Sequence, residues 1–149
     1  MIVARHAVRV AARPEVAFEV FTDGIDRWWP LHQGYSHGGD RAESIVLEPR
    51  LGGRFYERFV DGDELQVGEV TVCEPPHRIV FTWRSPAWEG ATEVEVTFAG
   101  DDQVTRVSVE HRGFERIGPD GDATGQSYNS GWITVLGSFA AFVGDPPGP

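Results

Sequence analysis

Lysine is absent from the chain, and cysteine and methionine occur once each. The lone cysteine, Cys73, excludes an internal disulfide and any zinc site built from several cysteines. All 13 basic side chains other than histidine are therefore arginines, against 23 acidic ones, for a net charge of −10. With no basic stripe to meet phosphates, nucleic acid and anionic membranes are not expected partners. The acidic excess instead keeps the chain in solution. An all-arginine basic set fits a GC-rich, bacterial coding sequence.

Long apolar runs are missing too. No window approaches the roughly 18 residues of a membrane span, and MIVARHAVRV lacks the unbroken apolar stretch of a signal peptide. A cytoplasmic protein is the expectation. There is no phosphate loop and no dinucleotide fingerprint, and no serine stands in a nucleophile elbow. His32, His37 and Asp40 match no defined metal motif. Neither a cofactor nor a metal is expected.

What is present describes a globular chain. Its 149 residues suit one domain, and 40% hydrophobic with 24% charged residues is ample for a core. Residues 3–11 alternate as a strand. Pro14 opens a short helix whose apolar residues are Val16, Ala17, Val20 and Phe21, and a second turn carries Ile25 to Trp29. A glycine-rich loop covers His32 to Asp40. Period-two segments follow at 44–48, 54–60, 65–73, 77–84, 92–98 and 104–111, separated by turn residues such as Asp61-Gly62-Asp63. Residues 118–125 read as loop. From Gln126 to Val143 the period becomes 3.6, with Asn129, Trp132, Ile133, Leu136, Phe139, Ala140 and Val143 on one stripe: a helix of about 18 residues. Strands and helices are segregated, so the fold class is α+β, an antiparallel sheet with one long C-terminal helix across a face. The domain spans 1–144, and the Pro- and Gly-rich tail at 145–149 is expected to fray.

Alternation assigns the sheet faces. Phe55, Glu57 and Phe59 share the inner face, with Arg54, Tyr56 and Arg58 outside. Ile79, Phe81 and Trp83 point in, as do Val94, Val96 and Phe98, and Thr105, Val107, Val109 and His111. Glu57 and His111 thus stand in an apolar lining. If they meet, the glutamate keeps its charge; if they do not, desolvation raises the carboxyl's pKa. Trp28, Trp29, Trp83 and Trp132 come from three layers and either line a cavity or fill the core. Gly131 lets the long helix approach the sheet closely. His32, Tyr35 and His37 lie in a loop that could lid the cavity.

The segments AFEVFTDGIDRWWP, GGRFYE, GEVTVCEPPHRIVFTW, VEHRGF and SGWITVL, in this order, resemble the START/polyketide-cyclase-like (SRPBCC) superfamily. Within it they are most similar to the homologues of the activator of the heat-shock-protein ATPase (AHSA-type). The resemblance implies a helix-grip fold: a curved sheet around the long helix, with a cavity between them. It also adds weight to Glu57, because the pattern Gly52-Gly53-x-x-x-Glu57 recurs in the family. Members include ligand carriers, cyclases and aromatases, hydrolytic resistance proteins and co-chaperone domains, so fold alone does not carry activity. The leading expectation is binding of a small hydrophobic, aromatic ligand by Trp28, Trp29, Phe55, Glu57, Phe59, Phe81, Trp83, Val96, His111, Trp132 and Leu136. The alternatives are a cyclase, aromatase or hydrolase using Glu57 or His111 as acid or base, and a co-chaperone-like interaction domain. A homodimer is compatible with each.

Overall fold

A computed structural model describes residues 2–146. Seven strands form one antiparallel sheet: β1 (Ala4–Val10), β2 (Ala42–Leu47), β3 (Arg54–Phe59), β4 (Glu64–Glu74), β5 (Arg78–Trp83), β6 (Thr92–Gly100) and β7 (Thr105–Arg112). Their order is β1-β7-β6-β5-β4-β3-β2. Strands β2 to β7 run as a meander, and β1 joins the far edge by pairing with β7. Between β1 and β2 lie α1 (Pro14–Phe21) and α2 (Ile25–Trp28), and the chain closes with α3 (Gly121–Val143). The sheet curls around α3, as expected for an α+β helix-grip fold.

The curl has a local cause. Register shifts fall between Ala42 and Ser44, between Phe55 and Tyr56, and between Val70 and Val72. Each bulge bends its strand and increases the twist, and all three fall in the β2–β5 half. Gly68 pairs with Phe55 beside the middle bulge. A Cβ at Gly68 would run into the Thr82 carbonyl oxygen of β5. That neighbour is backbone and cannot rotate away. Gly68→Ala is therefore expected to cost about 1–3 kcal/mol, read as a lower urea midpoint; an unchanged midpoint would show that the strand accommodates the methyl.

The strand faces are as the alternation predicts. Ile79, Phe81, Val94, Val96, Phe98, Val107, Val109 and His111 are all buried on the concave side. Tyr56 is also buried, although it faces outward, because the Arg54 guanidinium lies 4.0 Å from its ring centroid. The α1 face differs from expectation: Ala17, Phe18 and Phe21 are buried, whereas Val16 is exposed. Phe18 and Phe21 both stack edge-on against Phe98, and Val16 lies on the other side of the helix.

Helix α3 has 23 residues and begins at Gly121, not Gln126. Gly121 and Gly125 read as loop residues, yet here they are contact positions. A Cβ at Gly125 would meet Ile2 Cγ2 at 2.8 Å and Phe114 Cδ2 at 3.2 Å. The buried stripe is Trp132, Val135, Leu136, Phe139 and Ala140, while Ile133 is exposed. Val135 lies three residues after Trp132 and so shares its face; Ile133, about 100° around from Trp132, does not. Phe139 packs against Phe21 and Trp28 at centroid distances of 5.3 and 5.0 Å. The expected fraying of the tail falls largely on residues 147–149, which lie outside the described residues.

Candidate functional site

A cavity of about 330 Å³ opens between the curled sheet, the middle of α3 and the loop after α2. Trp29, Phe55, Trp83 and Trp132 supply aromatic wall, and Ile45, Val67 and Val135 the aliphatic part. The rings interlock: Trp29 meets Trp83 and Trp132 at 6.0 Å each, and Phe55 meets Trp83 at 5.2 Å. Polar groups converge on one flank, namely Glu57, His37, Ser85 and Tyr128.

Of the residues expected from sequence, Trp29, Phe55, Glu57, Trp83 and Trp132 line this cavity. Trp28, Phe81, Val96 and Leu136 are buried in the core away from its wall. Phe59 is half-buried under the Arg41 guanidinium, 4.9 Å from its ring centroid. His111 is fully buried behind Trp83 and Trp132, 5.5 and 6.1 Å from their rings. Gly131 also borders the cavity. A Cβ there would meet only the Tyr35 ring, at 3.5 Å, so it does not bring α3 closer to the sheet as expected.

Glu57 and His111 do not bond to each other; each has its own partners. The Glu57 carboxylate accepts the His37 backbone N–H (2.8 Å to Oε2), the Gly38 N–H (3.2 Å to Oε1) and His37 Nδ1 (2.9 Å to Oε2). Burial pushes its pKa up, but the hydrogen bonds from His37 and Gly38 outweigh burial and hold it below its ordinary 4.5. This reverses the rise expected for a carboxyl that misses His111. The donors come from the 34–38 loop, which is pinned by the Trp29 indole N–H bonding the Tyr35 carbonyl at 2.8 Å.

The partners of His37 fix its tautomer. A carboxylate can only accept, so Nδ1 carries a proton toward Glu57. In the neutral ring Nε2 then accepts the Ser85 hydroxyl, 2.9 Å away. The His37 side chain is 20% exposed, open to the cavity and its mouth. Tyr128 lies beside Ser85 and Trp83, and burial raises its phenol pKa.

His111 is held neutral by a different chain of bonds. The Trp132 indole, which can only donate, points at Nδ1 from 3.1 Å. Nε2 must then carry the proton and donate to Thr92 Oγ1 at 2.7 Å, and that hydroxyl donates on to the Trp83 carbonyl at 2.9 Å. Desolvation pushes the His111 pKa down to about 3. His111 thus braces sheet against helix and has no free nitrogen for chemistry. Cys73 is half-buried and burial raises its thiol pKa, so it is a poor nucleophile. Among the described residues, no group of three His, Cys, Asp or Glu side chains could hold a metal.

Two polar members of the cluster escaped the sequence reading. Tyr128 stands four residues before Trp132 on α3 and so shares its face, a signal that was there to find. Ser85 follows β5 in an irregular loop and carries no such signal.

The model of the family described as "Activator of Hsp90 ATPase homolog 1-like protein" matches residues 11–144. No curated protein matches the chain by sequence. Among solved structures, an anthrahydroquino-gamma-pyrone synthase, solved as a complex, is 30% identical with a TM-score of 0.63, over 95% of this chain and 96% of its own. An HSP90 activator from Plasmodium falciparum is 21% identical with a TM-score of 0.68, over 98% and 99%. The Aha1 dimer from Colwellia psychrerythraea is 19% identical with a TM-score of 0.67, over 96% of each chain. Among the described residues no helix is long and apolar enough to cross a membrane.

Proposed function

Because the chain belongs to the family of Activator of Hsp90 ATPase homolog 1-like proteins, we propose from its site that it binds a small, flat aromatic molecule between the sheet and α3. The observation that carries this reading is the cavity of about 330 Å³, with aromatic rings from three layers around it and polar groups on one flank. That size lies at the low end of small-molecule sites, which run from about 300 to 1,000 Å³. The ring walls suit a planar ligand, and His37, Ser85 and Tyr128 suit hydroxyl or carbonyl groups along one edge of it. The name of the 30% identical synthase describes a fused aromatic system of this kind. A cytoplasmic setting goes with this reading, as does a homodimer like that of the Colwellia relative.

The co-chaperone reading is supported in turn by the Plasmodium activator, which is matched over 99% of its chain. Filling the cavity separates the two. Gly131→Phe places a ring in the void from a half-buried helix position on its border, where only Tyr35 is close. Titration with 1-naphthol or 1,8-dihydroxyanthraquinone should quench the fluorescence of Trp29, Trp83 and Trp132 saturably in the native protein and not in Gly131→Phe. Equal, non-saturating quenching in both would defeat the proposal. Stimulation of a chaperone ATPase, undiminished in Gly131→Phe, would favour the interaction domain.

A further inference from the structure

The polar flank of the cavity is ordered as a relay. Glu57 Oε2 lies 2.9 Å from His37 Nδ1, and His37 Nε2 lies 2.9 Å from Ser85 Oγ. Glu57 is buried and accepts two backbone N–H groups besides, so it is immobile and ionised. The carboxylate orients the imidazole, and the imidazole accepts the serine proton. Nucleophilic serines on unrelated folds show this arrangement, which is recognised by geometry and not by chain order.

A second observation comes from Trp83, close to Ser85 in the chain. Trp83 is only 7% exposed, and its indole N–H has no well-aligned hydrogen-bond partner, the Tyr128 hydroxyl being close but poorly placed to accept it. A buried donor left unpaired calls for an explanation. Trp83 and Ser85 are two residues apart at the end of β5, and both border the cavity with Tyr128. The Tyr128 hydroxyl lies beside both of them. An oxygen of a bound molecule would satisfy the indole N–H and the phenol together. Preorganised donors of this kind stabilise an oxyanion when charge develops on a carbonyl.

We propose that Glu57, His37 and Ser85 form a nucleophilic triad that transfers acyl groups from small aryl esters or thioesters, with Tyr128 and Trp83 receiving the carbonyl oxygen. This deepens the ligand-binding reading, since the aryl group would occupy the same aromatic cavity. Ser85 Oγ forms a bond to the carbonyl carbon while its proton moves to His37 Nε2. The carbonyl oxygen takes the negative charge against Tyr128 and Trp83. As it re-forms the double bond, the bond from the acyl carbon to the ester oxygen or thioester sulfur breaks, and the leaving aryloxide or thiolate takes the proton from His37. Water then attacks the acyl-serine, giving a proton to His37, and the acid departs as Ser85 regains its hydrogen. Glu57 is a positioning residue: it holds the tautomer and stabilises the imidazolium, and it does not touch the substrate.

The test uses a fluorophosphonate probe together with 4-nitrophenyl acetate and 1-naphthyl acetate. A single phosphonyl adduct is expected, located on Ser85 by peptide mass spectrometry, with loss of fluoride. It should be absent in Ser85→Ala and form at least about 100-fold more slowly in His37→Gln, in variants that melt like the native protein. Glu57→Gln should slow the labelling and change its pH dependence, which a purely structural role would not do. An unlabelled Ser85, an adduct elsewhere, or ester hydrolysis equal in native protein and Ser85→Ala overturns the triad. If 1-naphthol still binds, the ligand-binding reading survives that failure; if it does not, both fall.

Discussion

A chain ended at Asp120 is expected to give no cooperatively melting protein. The truncation removes α3 entire, and with it the buried side chains of Trp132, Val135, Leu136 and Phe139. Burying each such side chain contributes roughly 1.5–3 kcal/mol. Together they match the roughly 5–15 kcal/mol by which an ordinary domain is stable. Their removal would also leave the concave face of the sheet, with Phe81, Val96, Val107 and Val109, open to water. A sigmoidal circular-dichroism melt from the truncated chain would contradict the role given to α3. Phe139→Ala is the milder form of the same experiment. It opens a cavity between Phe21 and Trp28 and should cost about 3–5 kcal/mol.

Acid should weaken the protein before its carboxylates titrate, and His111 is the expected cause. In the folded state its pKa is pushed from the ordinary 6.5 down to about 3. Below pH 6.5 the unfolded chain therefore binds a proton at this site that the folded chain refuses. Stability is full above pH 6.5 and falls as the pH drops from there toward about 3. The slope is about 1.4 kcal/mol per pH unit. Glu57 acts lower: its depressed carboxyl contributes stability above 4.5 and loses it as the pH falls through its folded value. The window between 6.5 and 4.5 thus separates the two. His111→Gln is the informative variant. Its amide oxygen can accept the Trp132 N–H and its amide nitrogen can donate to Thr92, but it does not titrate. Urea midpoints across that window should slope for the native protein and flatten for His111→Gln. Parallel slopes would mean that the His111 proton does not couple to folding.

The sheet was legible in the sequence because alternation reports burial directly: Ile79, Phe81 and Trp83 could only face one way. Helix ends were not. Gly121 and Gly125 carry the local signature of a loop, and only the nearness of Ile2 and Phe114, distant in the chain, makes them helical contact residues. The inward face of Glu57 was readable, but its partner was not. His37 reaches it from a loop without periodicity, anchored in part by the bond from the Trp29 indole to the Tyr35 carbonyl. Placing a loop over a sheet depends on such tertiary anchors. For the same reason the sequence left open whether Glu57 meets His111, and the two do not meet. His111 was already engaged by Trp132, a residue of the covering helix whose azimuth a stripe of apolar residues defines only coarsely.

The sheet order also bears on how the chain assembles during synthesis. Strand β1 is made before the other six strands, yet among the described residues its only sheet neighbour is β7, with Arg5 opposite Glu110. The hairpins from β2 to β7 can close by local contacts as they emerge. Strand β1 must wait, its edge unpaired, until more than a hundred residues have followed it. Non-local closure of this sort is slow, because the entropy of the intervening loop is lost before any contact is gained. The vulnerable interval in the life of this protein is therefore its translation, when an orphaned N-terminal strand and an uncovered sheet edge coexist in one nascent chain.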